Sequence, residues 1–224
     1  MAVKDMAARI IDGSPSPTDL VHEDAWCVVT VKPAGLLSVP GRGEAKQDCL
    51  SNRMQARYPD ALVVHRLDMA TSGLWIMGRG LAMQRKLARA FEHREVHKRY
   101  VAVVAGEMAQ PEGSIDLPIG ADWPNRPRQQ VDAQHGRPSV TRYRVLGAGP
   151  LPGTTRLELE PVTGRTHQLR VHLMAIGHPI LGDALYAPGD VAAAAPRLCL
   201  HASELRLDHP ASGAPMHWTS APPF

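Results

Sequence analysis

The stretch of this chain best suited to chemistry is His65-Arg66-Leu67-Asp68-Met69-Ala70-Thr71-Ser72-Gly73-Leu74. It lies between two apolar runs, Ala61-Leu62-Val63-Val64 and Leu74-Trp75-Ile76-Met77, each reading as a buried strand. A carboxylate at the end of a core strand is costly unless something pairs with it. Asp68 is therefore either a surface residue capping the Thr71-Ser72-Gly73 turn or a group kept ionised for a reaction. An ionised carboxylate in a partly dry site can act as nucleophile, general base or electrostatic stabiliser of a developing positive centre. Arg66 stands two residues earlier, and on a strand the two side chains would share a face.

A second set of residues follows at Thr163-Gly164-Arg165-Thr166-His167-Gln168-Leu169-Arg170-Val171-His172 and Gly177-His178-Pro179-Ile180-Leu181-Gly182-Asp183. Arg170 sits there among Leu169, Val171, Leu173 and Met174 on a predicted helix, surroundings that favour an inward guanidinium over a solvent-facing one. Other patterns carry no chemistry. His93-Arg94-Glu95-Val96-His97 misplaces the glutamate of a zinc-protease helix, and Lys98 and Arg99 would repel a cation. His167 and His172 share neither a helix face nor a strand face. Gly78-Arg79-Gly80 lacks the third glycine of a dinucleotide loop, and the nine methionines are core filler.

The elements that would position these residues read as a mixture. Strands are predicted over Trp26 to Lys32, Tyr100 to Val104, Val140 to Leu146, Thr155 to Glu160 and Leu198 to Leu207. Helical patterns cover 48–57 and Leu81 to Glu92, the second with apolar residues at 83, 87, 90 and 91. Thr166 is the expected N-cap of a helix over 167–176, with Gly177 as its stop signal. Ala192 to Ala195 reads as an alanine run within an insertion. Short helices among many strands, without regular βα alternation or an internal repeat, make the class α+β. Residues 1–20, with Gly13-Ser14-Pro15-Ser16-Pro17, read as a flexible leader, and 21–224 as one catalytic domain.

Composition narrows the class. At 224 residues the chain can bury one substantial core, and its 44% apolar and 21% charged residues are ordinary for a soluble protein. No run approaches the roughly 18 apolar residues of a membrane span, and the N-terminus does not read as a secretory signal. Cys27, Cys49 and Cys199 are odd in number and widely spaced, which suits a reducing cytoplasm and neither a disulfide framework nor a zinc site. Net charge is only +3, but the basic residues are clustered. Between Arg79 and Arg99 seven Lys or Arg face two acids, and between Arg126 and Arg144 five arginines face Asp132. Local basic excess of this kind suits a face that grips phosphates. Aromatics at 4% are too few for a broad base-stacking surface.

The two blocks at 65–74 and 163–183 resemble the RluA-type pseudouridine synthases. The same order is kept by Lys32-Pro33-Ala34-Gly35-Leu36, Lys98-Arg99-Tyr100, Leu200-His201-Ala202 and His209-Pro210, so the resemblance spans roughly 21–223. It implies a pseudouridine synthase fold, with a central, mostly antiparallel bent sheet, flanking helices and a catalytic cleft. Few residues precede Lys32, so no separate N-terminal RNA-binding domain is expected. The implied reaction breaks the bond from ribose C1′ to uracil N1, turns the base and joins C5 to C1′. Nothing is oxidised and no group is lost, so neither cofactor nor metal is expected. Uracil is a better leaving group than an alkoxide, so one carboxylate can suffice where glycosidases use two.

The resemblance makes Asp68 the catalytic carboxylate, Arg170 its ion-pair partner and Tyr100 an active-site residue. A cation within about 4–6 Å would offset the upward push of burial on the Asp68 pKa. It sends Arg66 into the RNA in place of the everted base, since a target inside a structured loop must be extruded. Leu67 and Leu169 are candidate apolar walls that keep water from the sugar intermediate. Arg42, Asn125, Arg126, Arg128 and Arg165 are candidate RNA contacts. Leu37-Ser38-Val39-Pro40-Gly41-Arg42 and Asp122-Trp123-Pro124-Asn125-Arg126-Pro127 resemble family members that act on both tRNA and ribosomal RNA. Uridine 32 of tRNA anticodon loops and uridine 746 of a 23S rRNA hairpin are then the expected targets, with a cytoplasmic monomer as the acting species. The rivals are a synthase for a different uridine, an N-glycosidase that would release free uracil, and a non-catalytic RNA-binding module.

Overall fold

The computed structural model describes residues 19–224, so the leader expected over 1–20 lies outside the described residues except for its last two positions. In chain order the strands are β1 Leu20–Glu23, β2 Cys27–Lys32, β3 Ala61–Val63, β4 Ser72–Arg79, β5 His97–Ala105, β6 Glu112–Asp116, β7 Ile119–Ala121, β8 Gln129–Val131, β9 Val140–Ala148, β10 Thr154–Pro161, β11 Leu200–Asp208 and β12 Pro215–Thr219. The helices are α1 Leu50–Arg57, α2 Gly80–Glu92, α3 Gln168–Ala175 and α4 Gly189–Ala193. This is the sheet-dominated α+β fold expected. Among the described residues no helix is long and apolar enough to cross a membrane.

The chain divides into two compact units, one ending at Lys98 and resuming over Ala202–Pro222, the other holding Arg99–His201 and Pro223–Phe224. In the first, β2 runs antiparallel to β1 and β4, β3 pairs with β4, and β12 pairs with β11. Cys27, Val29 and Val31 of β2, Leu74 and Ile76 of β4, and Leu205 and Leu207 of β11 alternate onto one face, where Leu87 of α2 packs. The intervening residues of β2 and β4 are also buried, which explains why these strands read as unbroken apolar runs. The β1–β2 turn is closed by Asp24. Its Oδ1 accepts the backbone N–H groups of Trp26 (2.6 Å) and Cys27 (2.7 Å), and its Oδ2 accepts from Nε2 of His22 (2.9 Å) and of His209 (3.0 Å). Burial alone would raise this carboxyl's pKa; the hydrogen bonds outweigh burial and hold it far below the usual range.

In the second unit the antiparallel order is β5-β10-β9-β6, with β7 and β8 forming a separate two-stranded ribbon. Ala102, Val103 and Val104 of β5 and Leu157 and Leu159 of β10 are fully buried.

Several boundaries differ from the sequence reading. Helix α3 starts at Gln168, and its N-cap is His167 in the left-handed conformation (φ 55°), not Thr166. The Gln168 side-chain oxygen accepts the Arg165 N–H (3.0 Å), so the chain turns one residue later than the hydroxyl rule suggests. The alanine run lies largely within and just after α4. β3 stops at Val63, leaving Asp68 in the β3–β4 loop and not on a strand. Cys27, Cys49 and Cys199 are buried free thiols.

Candidate active site

In the first unit, the 64–71 loop is held from several sides, and the residue that does most is one the sequence reading leaves without a role. Lys32 is fully buried (0% exposed), and its Nζ donates to the carbonyls of Pro33 (2.8 Å), Leu36 (2.7 Å) and Met69 (3.0 Å). The Gly35 N–H also reaches the Met69 carbonyl (2.8 Å), so the Lys32-Pro33-Ala34-Gly35-Leu36 motif clamps the residue after Asp68. Ser38 does the same one residue before it: its hydroxyl donates to the Leu67 carbonyl (2.8 Å) and accepts the Leu67 N–H (3.0 Å). The Thr71 N–H closes the turn onto the Asp68 carbonyl (3.1 Å). Replacing Lys32 with Met removes the Nζ donor from the Pro33 and Leu36 carbonyls and leaves the Met69 carbonyl only the Gly35 N–H; a carbonyl left unsatisfied costs about 1–3 kcal/mol. We expect K32M to lose about 2 kcal/mol or more in urea unfolding; an unchanged midpoint would show that the clamp contributes nothing.

His65 fixes the entry to the loop. Its carbonyl accepts the Trp75 indole N–H (2.9 Å), and its Nε2 accepts the Ile76 N–H (3.2 Å), which requires the neutral ring with its proton on Nδ1. The ring stacks on Phe91 with centroids 4.3 Å apart, and the Lys98 ammonium lies 5.6 Å from the same Phe91 ring. Burial, and then the Lys98 charge, push the His65 pKa down to about 3. The unfolded chain, with an ordinary value near 6.5, takes up the proton first. Stability is therefore complete above about pH 6.5 and falls as pH drops towards 3, by about 2 kcal/mol at pH 5. NMR titration should show a His65 ring that stays neutral down to pH 5; a midpoint near 6.5 would contradict this environment.

Gly73 (φ 118°) explains why the turn after Asp68 ends in glycine. A Cβ there would collide with the backbone of Ala202. In this setting Arg66 is exposed, Leu67 is buried and Asp68 is half-buried. Arg42 is exposed on the 37–43 loop.

In the second unit nearly every polar residue of the 163–172 motif has a structural partner. Gln168 donates to the Val140 carbonyl (2.9 Å) and the Thr141 hydroxyl (3.0 Å) while accepting from the Thr163 hydroxyl (2.8 Å). His172 is fully buried between the Thr141 hydroxyl and the Leu117 carbonyl (2.9 Å each), and burial lowers its pKa. Arg170 is buried, as its apolar neighbours suggest. Its Nε and Nη2 donate to the two carboxylate oxygens of Asp183 (2.8 and 2.6 Å), a bidentate pair with both side chains nearly sealed from water (4% and 1% exposed). In the sequence Asp183 is only the end of a motif; it lies thirteen positions beyond Arg170, and the tertiary fold joins them. Gly182 (φ 73°) lets the backbone beside Asp183 pass close to Arg197, since a Cβ there would strike the Arg197 carbonyl.

Tyr186 connects this pair to the 122–128 hairpin. Its ring lies 5.0 Å from the Arg170 guanidinium and 5.4 Å from that of Arg128. Its hydroxyl accepts the Gln129 N–H (2.8 Å) and meets Nδ1 of His167 (2.6 Å). Of the expected RNA contacts, Asn125 has its amide N–H₂ engaged by the Asp122 carboxylate (3.0 Å to each oxygen), and Arg165 is half-buried beside the Pro138 carbonyl (3.4 Å). Of the five arginines at 126–144, Arg142 and Arg144 pair with Glu160 and Glu158, so only part of that cluster is available to phosphates. Tyr100 is half-buried on β5, in register with Leu159, and Leu169 is buried on α3.

A family profile described as RNA pseudouridylate synthase matches residues 27–175. The dual-specificity RNA pseudouridine synthase RluA of Yersinia pestis is 49% identical over 199 residues, covering 89% of this chain and 96% of that protein. The RluA of Escherichia coli K12 is 48% identical over 205 residues, covering 92% and 93%. Among solved structures, human RNA pseudouridylate synthase domain containing 1 superposes with a TM-score of 0.78 at 28% identity, covering 94% of this chain and 86% of that one. With nearly half the residues shared across almost the whole length of the two RluA proteins, the chain belongs to the RNA pseudouridylate synthase family and is an RluA-type enzyme that forms pseudouridine in RNA.

Proposed function

We propose that the substrates are uridine 32 of tRNA anticodon loops and uridine 746 of a 23S rRNA hairpin. The reading is carried by the near-full-length identity to relatives described as dual-specificity, together with the loops at 37–42 and 122–127. Asp68 acts as nucleophile at ribose C1′, as base on the 2′ proton, or by addition to the uracil ring, while the C1′–N1 bond breaks. The uracil turns, C5 joins C1′, the C5 proton leaves and N1 gains one. Tyr100 and Arg170 serve the same step, Arg170 as the cation expected to pair with Asp68. Arg66 takes the place of the everted base, and Leu67 and Leu169 exclude water. Arg42, Asn125, Arg126, Arg128 and Arg165 grip the RNA, and the enzyme works as a monomer in the cytoplasm. Mapping pseudouridine in tRNA and 23S rRNA from cells with and without the gene tests this. Loss at both positions is expected; loss at other uridines would leave the reaction standing and overturn the substrates.

A further inference from the structure

We propose that Trp123, with the Arg126 guanidinium laid on its ring, is a stacking platform for one unpaired base of the RNA substrate; this rests on the RNA reading of the 122–128 hairpin above. Trp123 is 67% exposed, the most exposed large apolar side chain among the described residues, in a chain with only 4% aromatics. Tryptophan is enriched at binding surfaces, where its ring offers a large apolar face and a polar N–H. The loop that carries it is built, not slack. The Asp122 N–H donates to the Arg128 carbonyl (3.1 Å), the Asn125 N–H to the Asp122 carbonyl (3.1 Å) and the Arg128 N–H to the Asn125 carbonyl (3.0 Å). Pro124 and Pro127 restrict the backbone on either side of Asn125 and Arg126. The indole is thus held out into solvent by its own hairpin.

Charge decides what covers it. The Arg126 guanidinium carbon lies 3.3 Å from the Trp123 ring centroid, and the Arg128 guanidinium stacks over Tyr186 with its Nε buried and without a hydrogen-bond partner. Among the described residues neither guanidinium forms an ion pair with a carboxylate. A guanidinium stacked on a ring keeps its N–H edge free for a phosphate or a base edge. Two of them beside an open indole favour a polyanion carrying flat rings over an apolar protein surface. Unpaired bases in RNA loops provide such rings. Stacking recognises a ring without reading its edge, so one platform tolerates loops of different sequence.

The test compares Trp123→Ala, Trp123→Phe and wild type, by affinity for a labelled anticodon stem-loop, a 23S rRNA hairpin, total cellular tRNA and a fully paired duplex, and by steady-state kinetics. Trp123→Ala should raise Kd and KM for RNAs with unpaired loops by about 10-fold or more, with kcat at saturating RNA within about twofold. Trp123→Phe should stay within about threefold, and duplex binding should not change. The melting temperature of Trp123→Ala should match wild type, because the ring is exposed. Absence of turnover on both chosen transcripts, with Trp123-dependent binding intact, counts against those substrates and supports the platform. Unchanged affinity of Trp123→Ala for every RNA the wild type binds, an equal loss for the paired duplex, or a wild type that binds none of these RNAs overturns it.

Discussion

Asp68→Asn is expected to abolish pseudouridine formation while leaving RNA affinity within about threefold of wild type. Removing a group that acts directly on the reacting atom costs on the order of 10⁴-fold or more in turnover, and the amide keeps the shape of the carboxylate while losing its charge. The loop frame makes the comparison clean. Lys32 on Met69, Ser38 on Leu67 and the Thr71 N–H on the Asp68 carbonyl all use backbone atoms that the substitution leaves in place. Melting temperature should therefore move by only a few degrees. A quantitative assay of pseudouridine and of free uracil reads the outcome. Residual turnover above about one per cent of wild type would remove Asp68 from the reaction, and free uracil released by the wild type would favour a glycosidase.

The second large effect is on stability. Asp183→Ala should destabilise the protein by about 3–5 kcal/mol, the range for removing one partner of a buried ion pair. The variant leaves the Arg170 guanidinium without its bidentate acceptor in a site nearly closed to water. It also removes the acceptor for the backbone N–H groups of Leu185 and Tyr186 (3.0 and 3.2 Å). Denaturant unfolding measures the loss. Asp183→Asn, which keeps one acceptor oxygen, should fall between wild type and Ala. If both variants unfold at the wild-type midpoint, the pair does not hold α3 in place.

How far the site could be read in advance depends on the range of the interactions that form it. β2, β4, α2 and α3 follow local apolar periodicity and turn glycines, and the sequence locates each within a few residues. The strands it misses, β1, β6, β7, β8 and β12, have three to five residues each and are largely half-exposed. Such short segments carry too few alternating positions to show a period.

Residue type and position brought Asp68, Arg66 and Arg170 forward as candidates, because a lone acid between buried strands and an arginine on an apolar helix are each costly to keep without a use; Tyr100 came forward only through the family resemblance. The tertiary structure decided who supports them. Lys32 reaches a carbonyl 37 residues away, Arg170 finds Asp183, and His65 loses its proton because Phe91 and Lys98 fold against it. Burial and partner choice are long-range properties set by the packing of distant segments, and no local pattern of residues encodes them.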